Sequence, residues 1–209
     1  MRTSFGIALL VALFVVTSGA WAGTVPVTVP NNSFESPSCV TAGTSCTPAS
    51  WTIVGSANQW LPTAGQYNSI PDGSQVAWAN TGGVLEQVLT TDLAANTTYV
   101  LSVDVGLRNN EVNTFGGIVD LYAGTTLIGT ATGATPTFGN WVDWTLTVNS
   151  ASWGAEVGEP LEIYLSSSTN QTSFDDVTLN ATSSVPEPAV FALVGVGLLG
   201  LVTRRRFAK

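Results

Sequence analysis

Histidine is absent from this 209-residue chain, and charged residues make up only 10% of it. Without histidine, Ser-His-Asp and Cys-His nucleophile systems and histidine-rich metal centres are excluded. Basic residues number six: Arg2 lies near one end, and Arg204, Arg205, Arg206 and Lys209 near the other. Between Gly23 and Ser184 a single cation, Arg108, stands against thirteen carboxylates, a formal charge of −12. Such a surface repels polyanions, so nucleic acid is excluded as a partner, and cations or neutral ligands are favoured. A pair of carboxylates can hydrolyse a glycoside without histidine. Among so many solvated acids no pair is singled out, so no catalytic residue is assigned and a non-enzymatic role is expected.

The ends of the chain carry the clearest signals. Arg2, the apolar stretch 7–16 and Ala20-Trp21-Ala22 before Gly23 make up a secretory signal helix over 1–22, too short for a comfortable membrane span. At the other end Pro186-Glu187-Pro188 is followed by the apolar stretch 189–202 and then by Arg204-Arg205-Arg206. The apolar stretch predicts a short transmembrane helix within 189–209, its arginine end held in the cytoplasm and the preceding domain facing outward. Proline on both sides of Glu187 isolates that stretch from the domain before it.

Between the ends the pattern has period two. Tyr99, Leu101, Val103 and Val105 alternate with polar neighbours, as do Val142, Trp144, Leu146 and Val148, and Leu161, Ile163 and Leu165. Shorter strand candidates are Trp51–Val54, Gln75–Ala79, Leu85–Leu89, Ile118–Ala123, Thr126–Gly129 and Ser173–Asn180, with turn residues such as Pro71-Asp72-Gly73 between them. Eight to ten short strands joined by such turns predict an all-β domain over 23–182, a two-sheet antiparallel sandwich, followed by a linker over 183–188. Cys39 and Cys46 are the only cysteines. In an exported chain with no histidine to complete a metal site they are expected to form a disulfide.

The tail, with Pro186, Glu187, Pro188, the glycine-containing helix and Arg204, Arg205 and Arg206, resembles the PEP-CTERM sorting signal. That resemblance implies recognition by an exosortase and the export machinery, and an origin in a Gram-negative bacterium that makes exopolysaccharide. It further implies anchoring in the inner membrane before processing and a final place at the cell surface or in the extracellular matrix. The central domain is similar to the galactose-binding-like jelly rolls, which include many carbohydrate-binding modules. The resemblance is carried by Asn32-Ser33-Phe34-Glu35 near its start, Leu85-Glu86-Gln87 and 98–103 in the middle, and Phe174-Asp175-Asp176-Val177 at its close.

Two sets of candidate residues follow. With Val177 and Leu179 facing the core, strand alternation turns Asp175 inward. Phe174 also demands burial, so a bulge is expected here that turns Asp175 and Asp176 toward one edge. An inward carboxylate must be paired, protonated or bound to a cation, and Arg108 and calcium are the two partners, beside a simple solvated acidic turn. The jelly-roll resemblance implies a structural calcium between the opening and closing strands, with Glu35, Asp175, Asp176 and Asn32 as ligands. Among the aromatics, Trp51, Trp144 and Trp78 read as core. Trp60, Tyr67 and Trp153 fall in loop-like stretches, and Tyr122 and Trp141 lie on polar strand faces. These five are the candidates for stacking on sugar rings, against the alternative that each packs over a sheet edge. The function expected is therefore an exported surface or matrix protein that binds a polysaccharide, one that is neutral or bridged by calcium. A structural or adhesive protein and a carboxylate-based glycan-active enzyme are the alternatives.

Overall fold

Every strand that period-two alternation predicts is present in the computed structural model, which describes residues 23–109 and 114–184. Twelve strands follow one another: β1 (Thr24–Val27), β2 (Ser45–Cys46), β3 (Thr52–Val54), β4 (Ala57–Trp60), β5 (Val76–Ala79), β6 (Val84–Asp92), β7 (Thr97–Gly106), β8 (Gly117–Ala123), β9 (Thr126–Thr130), β10 (Trp141–Asn149), β11 (Pro160–Ser167) and β12 (Thr172–Ser183). One sheet has the order β10-β7-β12-β5-β4-β2, with β1 also paired to β12; the other has the order β3-β6-β11-β8-β9. All pairings between these strands are antiparallel.

The core lies between the sheets and is built from the inward positions of both. Tyr99, Leu101, Val103 and Val105 of β7 meet Leu161, Ile163 and Leu165 of β11 and Val119 and Leu121 of β8, all essentially inaccessible. Its large polar-tipped rings are satisfied, as buried donors must be. Trp144 Nε1 donates to the Ala134 carbonyl at 2.8 Å, Trp51 Nε1 to the Asn31 carbonyl at 3.1 Å, and Tyr99 Oη accepts from the Ala94 amide at 2.9 Å. Cys39 and Cys46 are bridged, closing the segment that leads into β2.

Three strands carry no alternation and were not predicted. β1 and β2 are too short and exposed to show a pattern. β4, Ala-Asn-Gln-Trp, is buried on both faces, which erases the period that would mark it. Trp60 therefore belongs to a strand rather than to a loop. Trp78 is also corrected: it is half-buried and stands opposite Asn58 and Ser173 on the outer face of its sheet, while Ala77 and Ala79 take the core side. The expected bulge is found in β12, where the register shifts between Asp175 and Thr178 and Asp176 takes a φ of 43°. Phe174 stays in the core, so Asp175 lies on the outer face beside Asp104, not among the core residues.

Among the described residues no helix is long and apolar enough to cross a membrane. The signal helix, the tail helix and the sorting residues Pro186, Glu187, Pro188, Arg204, Arg205 and Arg206 lie outside the described residues.

Candidate functional site

The outer face of the seven-stranded sheet gathers most of the polar and aromatic residues that the core has no use for. From β10 come Trp141 and Asp143, from β7 Gly106 and Asp104, from β12 Ser173 and Asp175, from β5 Trp78, and from β4 Trp60. Gly106 faces Trp141 across the ladder, and a Cβ there would come within 2.5 Å of the indole, so glycine lets that ring lie down on the sheet.

The segment 61–75 folds over this face and is tied to it at several points. Tyr67 packs on Trp141 at 4.9 Å between centroids and meets Trp60 edge-on at 6.4 Å. Its hydroxyl is hydrogen-bonded to Ser173 Oγ at 2.5 Å, and burial pushes its pKa up to about 12. Trp141 Nε1 donates to the Ser69 carbonyl at 2.9 Å, and the Asn68 amide donates to the Gly139 carbonyl at 2.8 Å. The far end of the segment is held by carboxylates. The Asp72 amide donates to Asp175 Oδ2 at 3.0 Å, and Glu35 Oε1 accepts from the amides of Ser74 and Gln75 at 2.7 and 2.6 Å. Gly73, at a φ of 70°, makes the turn between them, where any Cβ would collide with the Glu35 carboxylate.

Asp175 is thus fully buried, and the loss of water drives its pKa up to about 8, although the Asp72 and Asp176 amides pull the other way. Desolvation, reinforced by neighbouring carboxylates, also raises Asp104 and Asp176. The four residues expected to hold calcium are used differently. Glu35 and Asp175 grip the same turn through its amide hydrogens, and the Asn32 carbonyl accepts from the Val177 amide at 3.0 Å. Amide hydrogens present positive ends to both carboxylates, as a cation would. Among the described residues no cluster of three or more acidic or sulfur ligands could hold a metal ion.

Of the five aromatic candidates, Trp60, Tyr67 and Trp141 come together under and within the covering segment. Tyr122 is on the other sheet, 5.0 Å from the Tyr164 ring, and Trp153 packs against the core after a one-turn helix at Ser150–Ser152. Beside the three lies an open cleft of about 260 Å³ lined by Gly43, Ser45, Trp60, Trp78, Asn80, Arg108 and Gln171. The Arg108 guanidinium carbon sits 5.6 Å from the Trp60 ring centre, a cation–π arrangement. Two donors of this lining have no hydrogen-bond partner: Trp60 Nε1, on a residue only 7% exposed, and Arg108 Nε. Sequence reasoning missed Trp78, Asn80, Gln171 and Arg108 as lining residues. The signal available was Trp78 two residues before Asn80 in a strand with small residues on its core side.

Comparison with known proteins fits this architecture. The family model described as HpiC1-like, HpiC1 cyclase, matches residues 25–180, and the PEP-CTERM protein-sorting motif matches residues 184–206. A Stig cyclase from Fischerella sp. TAU, solved with (3Z)-3-(1-methyl-2-pyrrolidinylidene)-3H-indole, is 24% identical over 78% of this chain and 100% of its own, with a TM-score of 0.67. A cyclase from the same organism in complex with 4-(1H-indol-3-yl)butan-2-one is 25% identical over 77% of this chain and 100% of its own, with a TM-score of 0.63. A tandem CBM22 domain from Paenibacillus barcinonensis Xyn10C is 16% identical over 82% of this chain and 50% of its own, with a TM-score of 0.52, a likeness of fold alone. No curated protein matches the sequence. The sorting motif marks the chain as exported and as membrane-anchored before exosortase processing.

Proposed function

This chain belongs to the HpiC1-like family, and on the geometry of its cleft we propose that it is an exported, non-enzymatic binding protein whose cleft beside Trp60 takes a polysaccharide. The observation that carries this reading is an open cleft lined by Trp60 and Arg108, each of which carries a buried donor nitrogen without a hydrogen-bond partner. A buried donor without a partner costs free energy in the empty protein, and an acceptor supplied by a ligand recovers it. Trp78 offers a half-exposed ring for a sugar face, and Ser45, Asn80 and Gln171 bring hydroxyl and amide groups to the same walls. The Gly43–Ser45 wall lies within the loop that the Cys39–Cys46 bridge closes, so the cleft is largely preformed. Trp78→Ala should weaken glycan binding about ten-fold with little loss of melting temperature. Loss of stability without selective loss of affinity would return the residue to a packing role and favour the structural or adhesive alternative.

A second reading rests on Asp175. A carboxyl with its pKa near 8 holds its proton at neutral pH and can act as a proton donor. Ring closure of an unsaturated substrate can begin with such a protonation, which suits the family's name. The inaccessible position of Asp175 under the covering segment weighs against it. Binding of 4-(1H-indol-3-yl)butan-2-one, abolished by Tyr67→Ala or by Asp175→Asn but not by Trp78→Ala, would favour this reading over the glycan cleft.

A further inference from the structure

We infer that the cleft selects an acidic sugar, a uronate whose carboxylate is met by Arg108 and Trp60, rather than a neutral one. The inference rests on the binding role proposed for this cleft and names the class of ligand.

Net charge taken alone argues the other way, since thirteen carboxylates surround one arginine between Gly23 and Ser184. A ligand, however, feels most strongly the charges it touches, because salt screens exposed charges beyond roughly 8 Å at physiological ionic strength. Among the described residues the cleft lining has seven members, one cation and no acid. The domain's single described arginine therefore lines this cleft, where it can determine selectivity. It is fixed there over the Trp60 ring, and its Nε is a donor with nothing to bond. Trp60 Nε1 is a second donor in the same condition. Both lack an acceptor, and a carboxylate is acceptor-only with two oxygens, so it can satisfy two donors at once. A neutral hydroxyl can also accept, but its own hydrogen then needs a further partner and it gains no charge from the guanidinium. The remaining walls suit the rest of a sugar: a half-exposed Trp78 ring, the Ser45 hydroxyl, and the side-chain amides of Asn80 and Gln171.

The test uses the purified protein and paired oligosaccharides: oligomers of galacturonate, glucuronate and mannuronate against those of galactose, glucose and mannose. Affinity is measured at low and at physiological salt, with melting temperature followed for every variant. At least one uronate oligomer should bind ten-fold or more tightly than its neutral partner, and the preference should shrink as salt rises. Arg108→Gln should abolish that preference. Arg108→Lys, which keeps the charge but loses the planar Nε donor, should retain part of it, and this variant keeps the test open should Arg108→Gln prove unstable. Neutral oligomers binding as well as their acidic partners, or an unchanged preference in Arg108→Gln, would overturn the inference while leaving the cleft a glycan site. If no oligosaccharide of either set binds, both the inference and the binding role fail.

Discussion

The two outer faces of the sandwich start from similar materials and end in different chemical states. On the seven-stranded sheet Asp104, Asp143, Asp175 and Trp141 lie in adjoining positions, and the 61–75 segment folds over Trp141 and Asp175 while Asp143 stays exposed. On the five-stranded sheet Glu86, Tyr164 and Asp120 form one row across β6, β11 and β8, and Val88, Glu162 and Tyr122 form the next. No segment is tied down there by comparable bonds among the described residues, and Val88 is 61% exposed. The contrast shows that covering, more than composition, sets the chemistry. Under the segment one aspartate becomes buried with its pKa raised to about 8, and a tyrosine is locked between two tryptophans. On the bare face the carboxylates stay partly solvated.

The sharpest way to break this contrast is to remove the ring at the centre of the covered face and its counterpart on the bare one. Tyr67→Ala takes away contacts with Trp60 and Trp141 and leaves Ser173 without its partner. It should lower stability by about 2–4 kcal/mol, as for other packed aromatic truncations. Tyr122→Ala removes a half-exposed ring that meets Tyr164 and should cost about 1 kcal/mol or less. Urea titrations of the two variants side by side decide it, and equal losses would mean that the segment covers without stabilising.

A second test uses pH. The folded pKa of Asp175, about 8, lies above the ordinary value of 3.8. The native state therefore keeps a proton that the unfolded chain releases between these two values. The stabilisation linked to that proton is fully present below about pH 4, declines as pH rises, and is gone above about pH 8. Asp175→Asn should remove this part of the decline. Its melting temperature should drop less than that of the native sequence between pH 5 and pH 9, and an unchanged pH slope would place the proton elsewhere.

Much of this was legible in the sequence because alternation survives wherever one strand face meets water, as in β7, β10 and β11. It failed where both faces are covered: β4 reads Ala-Asn-Gln-Trp, and β5 placed Trp78 on the outside because alanines sufficed within. The bulge at Asp175 was foreseeable from the conflict between Phe174 and Val177 over the core. The carboxylate's direction was not, since it depends on the 61–75 segment, which has no strand of its own to announce where it lies. For the same reason the cleft was invisible. Gly43, Trp78, Arg108 and Gln171 are distant in sequence and are brought together only by the order β12-β5-β4-β2 and the loops beside it.

The smallest effect, and the finest check on the contrast, belongs to Glu162. It stands on the bare face, where partial burial and then the charge of Glu86 raise its pKa. Glu162→Gln removes the like charge beside Glu86 and leaves the side-chain shape nearly unchanged. Surface charges in contact with water contribute little, so a gain of only about 0.5 kcal/mol or less is expected at pH 7. The sign has its own pH dependence. The raised folded pKa means that the native sequence loses stability as pH climbs past the carboxylate range, so the variant's advantage should be absent near pH 3 and present by pH 7. Because the repulsion from Glu86 acts through solvent, about 1 M salt should erase that share of the advantage. Denaturant melts of the two proteins at low and high salt resolve a difference of this size. An advantage undiminished in high salt would show that Glu162 and Glu86 interact shielded from water, and that the five-stranded face is covered after all.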